Sequence, residues 1–329
     1  MNKIFTLTLI FISAYGCAQF DTAKPFGDSI EQQDLKELLY VYASDFFQGR
    51  ETGTIGQKRA VEFLRDFYAS RGISAAQGTN DYFQSMTLNI KGENVATENV
   101  VAIIEGSTKP DEYIILSSHL DHEGIKNGLI YNGADDDGSG SVALLEIAEA
   151  FQKAVEAGKR PQRSIVFLHV TGEEKGLLGS KYYTDNPLYP LANTVANLNI
   201  DMIGRTDPKR ESDNAHYVYL IGSDRLSTEL HEISEAANKA TTKIELDYTF
   251  NAIDDPNRFY ERSDHFNFAK NNIPVIFYFN GTHADYHQPS DTVEKIRFDL
   301  LEERTRLVFY TTWEVANRKE RIIVDKAVN

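Results

Sequence analysis

The chain has 329 residues, 41% of them hydrophobic and 25% charged, which is the balance of an ordinary globular protein and far from that of a disordered one. Acidic residues outnumber basic ones 49 to 34, for a formal net charge of −15. No basic run is longer than Lys-Arg or Arg-Lys, so the clustered cations needed to grip a nucleic-acid backbone are missing.

Residues 1–18 differ from the rest. Lys3 precedes an apolar run from Ile4 to Ile12 and then small residues, the layout of a secretory signal peptide and too short for a stable membrane anchor. No later apolar run approaches roughly eighteen residues, so no transmembrane span is expected. The only cysteine, Cys17, falls in this segment. Its setting after Ala-Tyr-Gly resembles a relaxed lipobox, which would make Cys17 the lipidated first residue of a lipoprotein. Cleavage after Ala18, with Gly16 at the −3 position, is the competing reading. Both place the mature chain outside the cytoplasm, in a bacterial periplasm, on an outer membrane or secreted. Neither leaves a disulfide to form, so the core and bound metals must stabilise it.

Residues 19–28 read as a short linker. Two amphipathic helices follow, over 30–46 and 55–71. In the second, Ala60, Val61, Leu64, Phe67 and Tyr68 share one face at three-four spacing, and Gly72 stops it. Strands are expected at 98–105 and 112–118, a helix at 139–154, a strand at 164–170 and a helix at 177–184. Further strands at 196–203 and 216–222 precede helices at 226–239 and 263–271, and a strand at 274–280 precedes a helix at 297–317. Strands rich in Val, Ile and Leu alternating with helices predict an α/β three-layer sandwich around a mixed, mostly parallel central β-sheet. No repeat or low-complexity segment interrupts it, so 19–329 reads as one domain.

Five segments put His or carboxylate residues at predicted strand ends or in the loops beyond them: SSHLDHEG (117–124), YNGADDDGSG (131–140), TGEEKG (171–176), LNIDMIG (198–204) and HADYHQPSDT (283–292). Each alone is weak. The Glu173–Glu174 pair by itself reads as a solvated turn, and GADDDGSG as a polar helix cap. Together they converge on the mouth of one sheet, where ligands bind in open α/β folds. Imidazole and carboxylate without thiol suit zinc. Their number exceeds the needs of one tetrahedral ion and matches two metals ~3.5–4 Å apart sharing a carboxylate. Which of Asp135, Asp136 and Asp137 is shared, the residues alone leave open.

These segments, in this order, resemble the co-catalytic zinc aminopeptidases of metallopeptidase family twenty-eight (clan MH), which include bacterial leucyl aminopeptidases and the peptidase domain of glutamate carboxypeptidase II. The resemblance runs from about residue 35 to about residue 317. It implies the zinc-dependent exopeptidase fold and two Zn2+ ions. His119 and Asp201 would hold the first, Glu174 and His287 the second, with Asp136 bridging them and a cis Asp136–Asp137 peptide bond. Asp121 would orient the His119 imidazole, and Asp291 would lend support. Glu173 would be the general base, passing a proton from the metal-bridging water to the leaving amine. Tyr260 would stabilise the oxyanion, and Arg262 and Asn257 would contact the peptide beyond the scissile bond.

The function so implied is that of an exported di-zinc aminopeptidase acting on peptides with free N-termini. The alternatives are a glutaminyl cyclase-like transferase on the same fold, a carboxypeptidase-like member, and a non-catalytic binding homologue of the transferrin-receptor kind. The acidic balance speaks against the carboxypeptidase-like member, because a carboxylate needs cationic groups to grip it. Larger relatives insert a protease-associated domain. Here GENVATENVVAII (92–104) runs almost directly into DEYIILSSH (111–119), so recognition falls to loops 205–214 and 240–262. Among the other histidines, His122 and His283 read as supporting or surface residues and His169 as a core residue. His216 reads as a strand start, His231 as a helix-surface residue and His265 as a packing residue.

Overall fold

A computed structural model describes residues 20–326. The signal segment 1–18, with Cys17, lies outside the described residues. Residues 20–27, expected as linker, form helix α1 because Phe20, Ala23 and Phe26 recur at three-residue spacing. Ala23 is fully buried, and Phe26 stacks on Trp313 with ring centroids 5.8 Å apart.

Helix α2 (Gln32–Tyr42) stops earlier than its apolar spacing predicts, and a tighter turn (Asp45–Arg50) follows. Gln48 and Gly49 adopt positive φ in that turn, which no continuing helix allows. Helix α3 (Ile55–Ser70) then leads to β1 (Ser74–Ala75), β2 (Phe83–Ile90), β3 (Glu93–Ile104), β4 (Lys109–His119) and the hairpin β5 (Gly124–Lys126) and β6 (Leu129–Tyr131). Next come α4 (Gly140–Glu156), β7 (Arg163–Val170), α5 (Leu178–Asp185), β8 (Thr194–Ile200) and β9 (Tyr217–Ile221). The chain closes with α6 (Thr228–Ala240), β10 (Glu245–Asp247), α7 (His265–Ala269), β11 (Val275–Phe279) and α8 (Phe298–Asn317).

Nine strands form one mixed sheet in the order β1-β3-β7-β4-β8-β11-β9-β10, with β2 also paired to β3. The central run β7-β4-β8-β11 is parallel, and β3 and β9 flank it antiparallel. Alternation along β4 shows why both faces are covered. Ile114 and Leu116 join the cluster formed with α2, α3, α4, α6 and α8, whereas Tyr113 and Ile115 join the one formed with α5 and α7. Each fully buried Leu, Ile or Phe contributes about 1.5–3 kcal/mol. This is the expected three-layer sandwich, and it aims the carboxyl ends of four parallel strands at one place.

Candidate metal centre and active site

His119 is the last residue of β4, in register with Val170 at the end of β7. Thr171 to Glu174 therefore begin where His119 points. Asp201 follows the end of β8, and the segment 283–291 follows β11. The turn 133–139 enters the same space before α4. Gly133 begins that turn with φ +56, and a Cβ there would meet Asp136 O at 2.1 Å, so only glycine fits.

The three consecutive aspartates have different tasks. Asp137 accepts the amides of His119 (3.1 Å), Gly140 (2.9 Å) and Met202 (3.1 Å). Asp135 accepts the Gly204 amide at 2.6 Å and pairs with His283 Nε2 at 3.0 Å. Asp291 accepts the amides of Asp135 and Asp136. Only the Asp136 carboxylate is left to face the cluster, and the Asp136–Asp137 peptide bond is cis.

His119 Nε2 lies 3.2 Å from Asp136 Oδ1 and 3.5 Å from Asp201 Oδ1. On the other side, His287 Nε2 lies 3.1 Å from both Asp136 Oδ2 and Glu174 Oε2. The structure thus brings together all five residues expected as ligands. Atoms bound to one tetrahedral zinc at about 2.0–2.2 Å sit roughly 3.3–3.6 Å apart; the His119–Asp201 spacing falls in that range and the other three lie 0.1–0.2 Å below it. Asp136 Oδ2 and Glu174 Oε1 are buried without a hydrogen-bond partner, an expensive state unless a cation takes their charge. The donor set fits zinc. Ser263 holds the remaining oxygen of Asp201 at 2.6 Å and is itself held by Asn199.

The adjacent glutamates are driven apart in acidity. Burial and the Asp136 charge would raise Glu174, but the imidazoles of His122 and His287 prevail and hold it down to about 2. Burial lifts Glu173 well above the usual carboxylate range, against His119 and with help from Glu174, Asp201 and Asp264. Burial would raise Asp136 too, yet His122, His119 and His287 keep it far below that range. Carboxylates whose surroundings separate them in this way mark distinct acid–base and ligand roles.

The sequence profile described as Peptidase family M28 matches residues 99–312, which is more than half of the chain. The chain belongs to peptidase family M28. It is similar, at 27% identity over 88% of its length and 78% of the relative's, to a probable leucine aminopeptidase of Arthroderma otae. A probable zinc metalloprotease of Pyrenophora teres f. teres is 25% identical over 89% of this chain and 69% of its own. Of three other curated relatives the chain spans only 16%, 33% and 22% of the length. Among solved structures, the LapA aminopeptidase of Legionella pneumophila superposes with TM-score 0.71 at 18% identity, covering 91% of this chain and 76% of that one. The glutaminyl cyclase of Porphyromonas gingivalis gives TM-score 0.69 at 18% identity, covering 86% and 97%. At such identities the structures show the shared fold.

In this M28 chain His119, Asp136, Asp201 and Glu173 border a cavity also lined by Met202, Phe259, Arg262, Phe277, Phe279 and Tyr286. Tyr260, expected at the oxyanion, is not on that wall. Its ring packs on His265 and Phe266, lies 4.0 Å beneath the Arg225 guanidinium, and borders separate clefts with Arg225. Tyr286 stands in the cavity instead, stacked on His287 at 3.9 Å. After burial, the charges of Asp136, Glu174, Glu173 and Asp201 raise its hydroxyl pKa. The signal was its place beside His287, which a count of 17 tyrosines obscured.

Asp121 also departs from expectation. His119 Nδ1 pairs with the Asp121 backbone carbonyl at 3.0 Å, not with its carboxylate. The carboxylate accepts the Glu173 amide at 3.2 Å and the Thr52 hydroxyl at 2.8 Å. Asn257 and parts of both predicted recognition loops line a neighbouring cleft, which shares Phe259 and Thr282 with the metal cavity. His169 sits buried between Tyr68 and Ser118, and His265 stacks on Phe277. His216 pairs with Glu303 at the surface, and His231 pairs with Ser223. His122, set aside in the sequence, lies 2.8 Å from Glu174.

Proposed function

We propose that this chain is an exported aminopeptidase that holds two zinc ions and removes N-terminal residues from peptides. One observation carries the reading: the two oxygens of Asp136 face separate donor sets, His119 with Asp201 and His287 with Glu174. Zinc held there would polarise the scissile carbonyl and bring the acidity of water toward neutrality.

Glu173 stands at the same cavity without a place in either donor set. Its carboxylate would take the proton of the attacking water as the carbon–oxygen bond forms, and return it to the amine as the carbon–nitrogen bond breaks. The Glu173 amide, held by Asp121, fixes where that carboxylate begins. Tyr286, which lines the same cavity, would donate its hydroxyl to the developing oxyanion. The aromatic wall of Phe259, Phe277 and Phe279 would receive an apolar N-terminal side chain, and the acidic lining would hold the free amine. Recognition without a protease-associated insertion would fall to the loops of the neighbouring cleft.

Export rests on residues 1–18. Intact mass of the mature protein decides between acylation at Cys17 and cleavage after Ala18. No helix among the described residues is long and apolar enough to cross a membrane.

The deciding experiment is hydrolysis of aminoacyl-p-nitroanilides by wild type and Glu173→Gln, with zinc content measured on both. The variant is expected to keep both metals and lose at least about 100-fold in turnover. Retained activity in a zinc-replete variant removes Glu173 from the reaction. The likeness to a glutaminyl cyclase favours one second reading, for which an N-terminal Gln peptide would give pyroglutamate without hydrolysis.

A further inference from the structure

We propose that His122, through Nδ1, is a further protein ligand of the second metal position. That position would then have four protein donors, Asp136, Glu174, His287 and His122, against three at the first. The proposal rests on the two-zinc reading above.

His122 is fully buried, and neither of its ring nitrogens has a hydrogen-bond partner among the described residues. A buried imidazole without partners is costly. Its Nδ1 lies 2.8 Å from Glu174 Oε1 and 3.8 Å from Asp136 Oδ2. At 2.8 Å a hydrogen bond to Glu174 would be short and strong if aligned. It is not aligned, and both atoms remain unsatisfied. Two donor atoms side by side, aimed past each other, are placed as ligands of a common ion. Ligand atoms of His122, Asp136 and Glu174 all fall within 4.8 Å of one another.

The ring is held in place. Gly133 packs beneath it, where a Cβ would sit 2.5 Å from His122 Cγ. The His287 ring crosses it edge-on, with centroids 5.8 Å apart. The segment His119-Leu120-Asp121-His122 therefore sends one imidazole to each side of Asp136. Four protein donors complete a tetrahedral shell, whereas three leave a position open for chemistry. The second position would hold its ion through chelation that strips the first.

X-ray absorption at the zinc edge of the wild-type protein, with metal content measured, tests this without any mutation. Two zinc ions sharing three imidazoles are expected. Two ions with only two imidazoles overturn the proposal and leave the proposed function standing. Fewer than two ions in active protein overturn that reading, and the proposal with it. Competition against a chromogenic chelator adds a second test. In His122→Ala, one zinc should weaken by more than about 100-fold and the other stay unchanged; loss of a merely orienting partner costs about 10–100-fold. His122→Gln, whose amide can donate to Glu174 but is not a usual zinc ligand, should fail to restore binding. Restoration by Gln, or unaltered affinity in both variants, refutes ligation.

Discussion

Asp121 holds Glu173 by the backbone: Oδ1 of the aspartate accepts the glutamate's amide at 3.2 Å, while its carbonyl separately engages His119 Nδ1 at 3.0 Å. The two functions can be separated. Asp121→Ala removes the carboxylate and leaves the carbonyl, so Glu173 loses its anchor while His119 keeps its own. Turnover should fall about 10–100-fold, in line with a small misplacement of a reacting group, with two zinc ions still bound. Zinc titration decides the point, because a carboxylate that oriented His119 would cost metal affinity when removed.

The two tyrosines make opposite predictions. Tyr286→Phe should lower kcat by about 100-fold, roughly 2.7 kcal/mol of transition-state stabilisation, with KM little changed. Tyr260→Phe should leave kcat near wild type, since that ring packs against Arg225 and His265 and does not line the metal cavity. Steady-state kinetics on one p-nitroanilide suffices, and the reverse ranking would return the oxyanion role to Tyr260.

Metal removal should destabilise the fold as well as stop activity. Asp136, Asp201, Glu173 and Glu174 crowd one space, and a bound cation relieves their repulsion beyond what the neighbouring imidazoles offset. Chelator should lower Tm, and zinc at about 100 times its Kd should restore about 2.7 kcal/mol per site. A Tm insensitive to chelation in demonstrably zinc-free protein would contradict this account.

Glu146 on α4 predicts a pH dependence set by burial, Glu149 and Asp34 rather than by the metal residues. Burial, aided by the charges of Glu149 and Asp34, pushes its carboxyl up to about 8 from an ordinary value of 4.5. The folded state therefore keeps a proton that the unfolded state gives up between those values. Stability from this group is complete below pH 4.5 and lost as pH rises through 8. Glu146→Gln should raise Tm at pH 8 by more than at pH 5, the extra stabilisation amounting to a few kcal/mol, on the order of the shift itself. Equal gains at both pH values would rule out the linkage.

Much of the framework was legible in the chain. The helices and central strands from residue 98 onward lie where apolar periodicity put them, because a strand buried on both faces and a helix with one apolar stripe leave strong local patterns. Strand β2 escaped because a polar residue, Gln84, occupies its buried face and bonds to Asn186. The two-residue β1 and three-residue β5, β6 and β10 are too short to carry a period.

The sequence by itself determined the inventory of donors, their order along the chain and the sheet end to which they belong. These follow from residue identity and local periodicity. The tertiary structure alone decided which of three adjacent aspartates keeps its oxygens free, which tyrosine enters the cavity, and that Asp121 spends its carboxylate on Glu173. It also turned His122 from a bystander into a neighbour of Glu174. Each of these depends on side-chain direction and on contacts across dozens of residues, where a change of one rotamer redirects a donor without altering any local pattern.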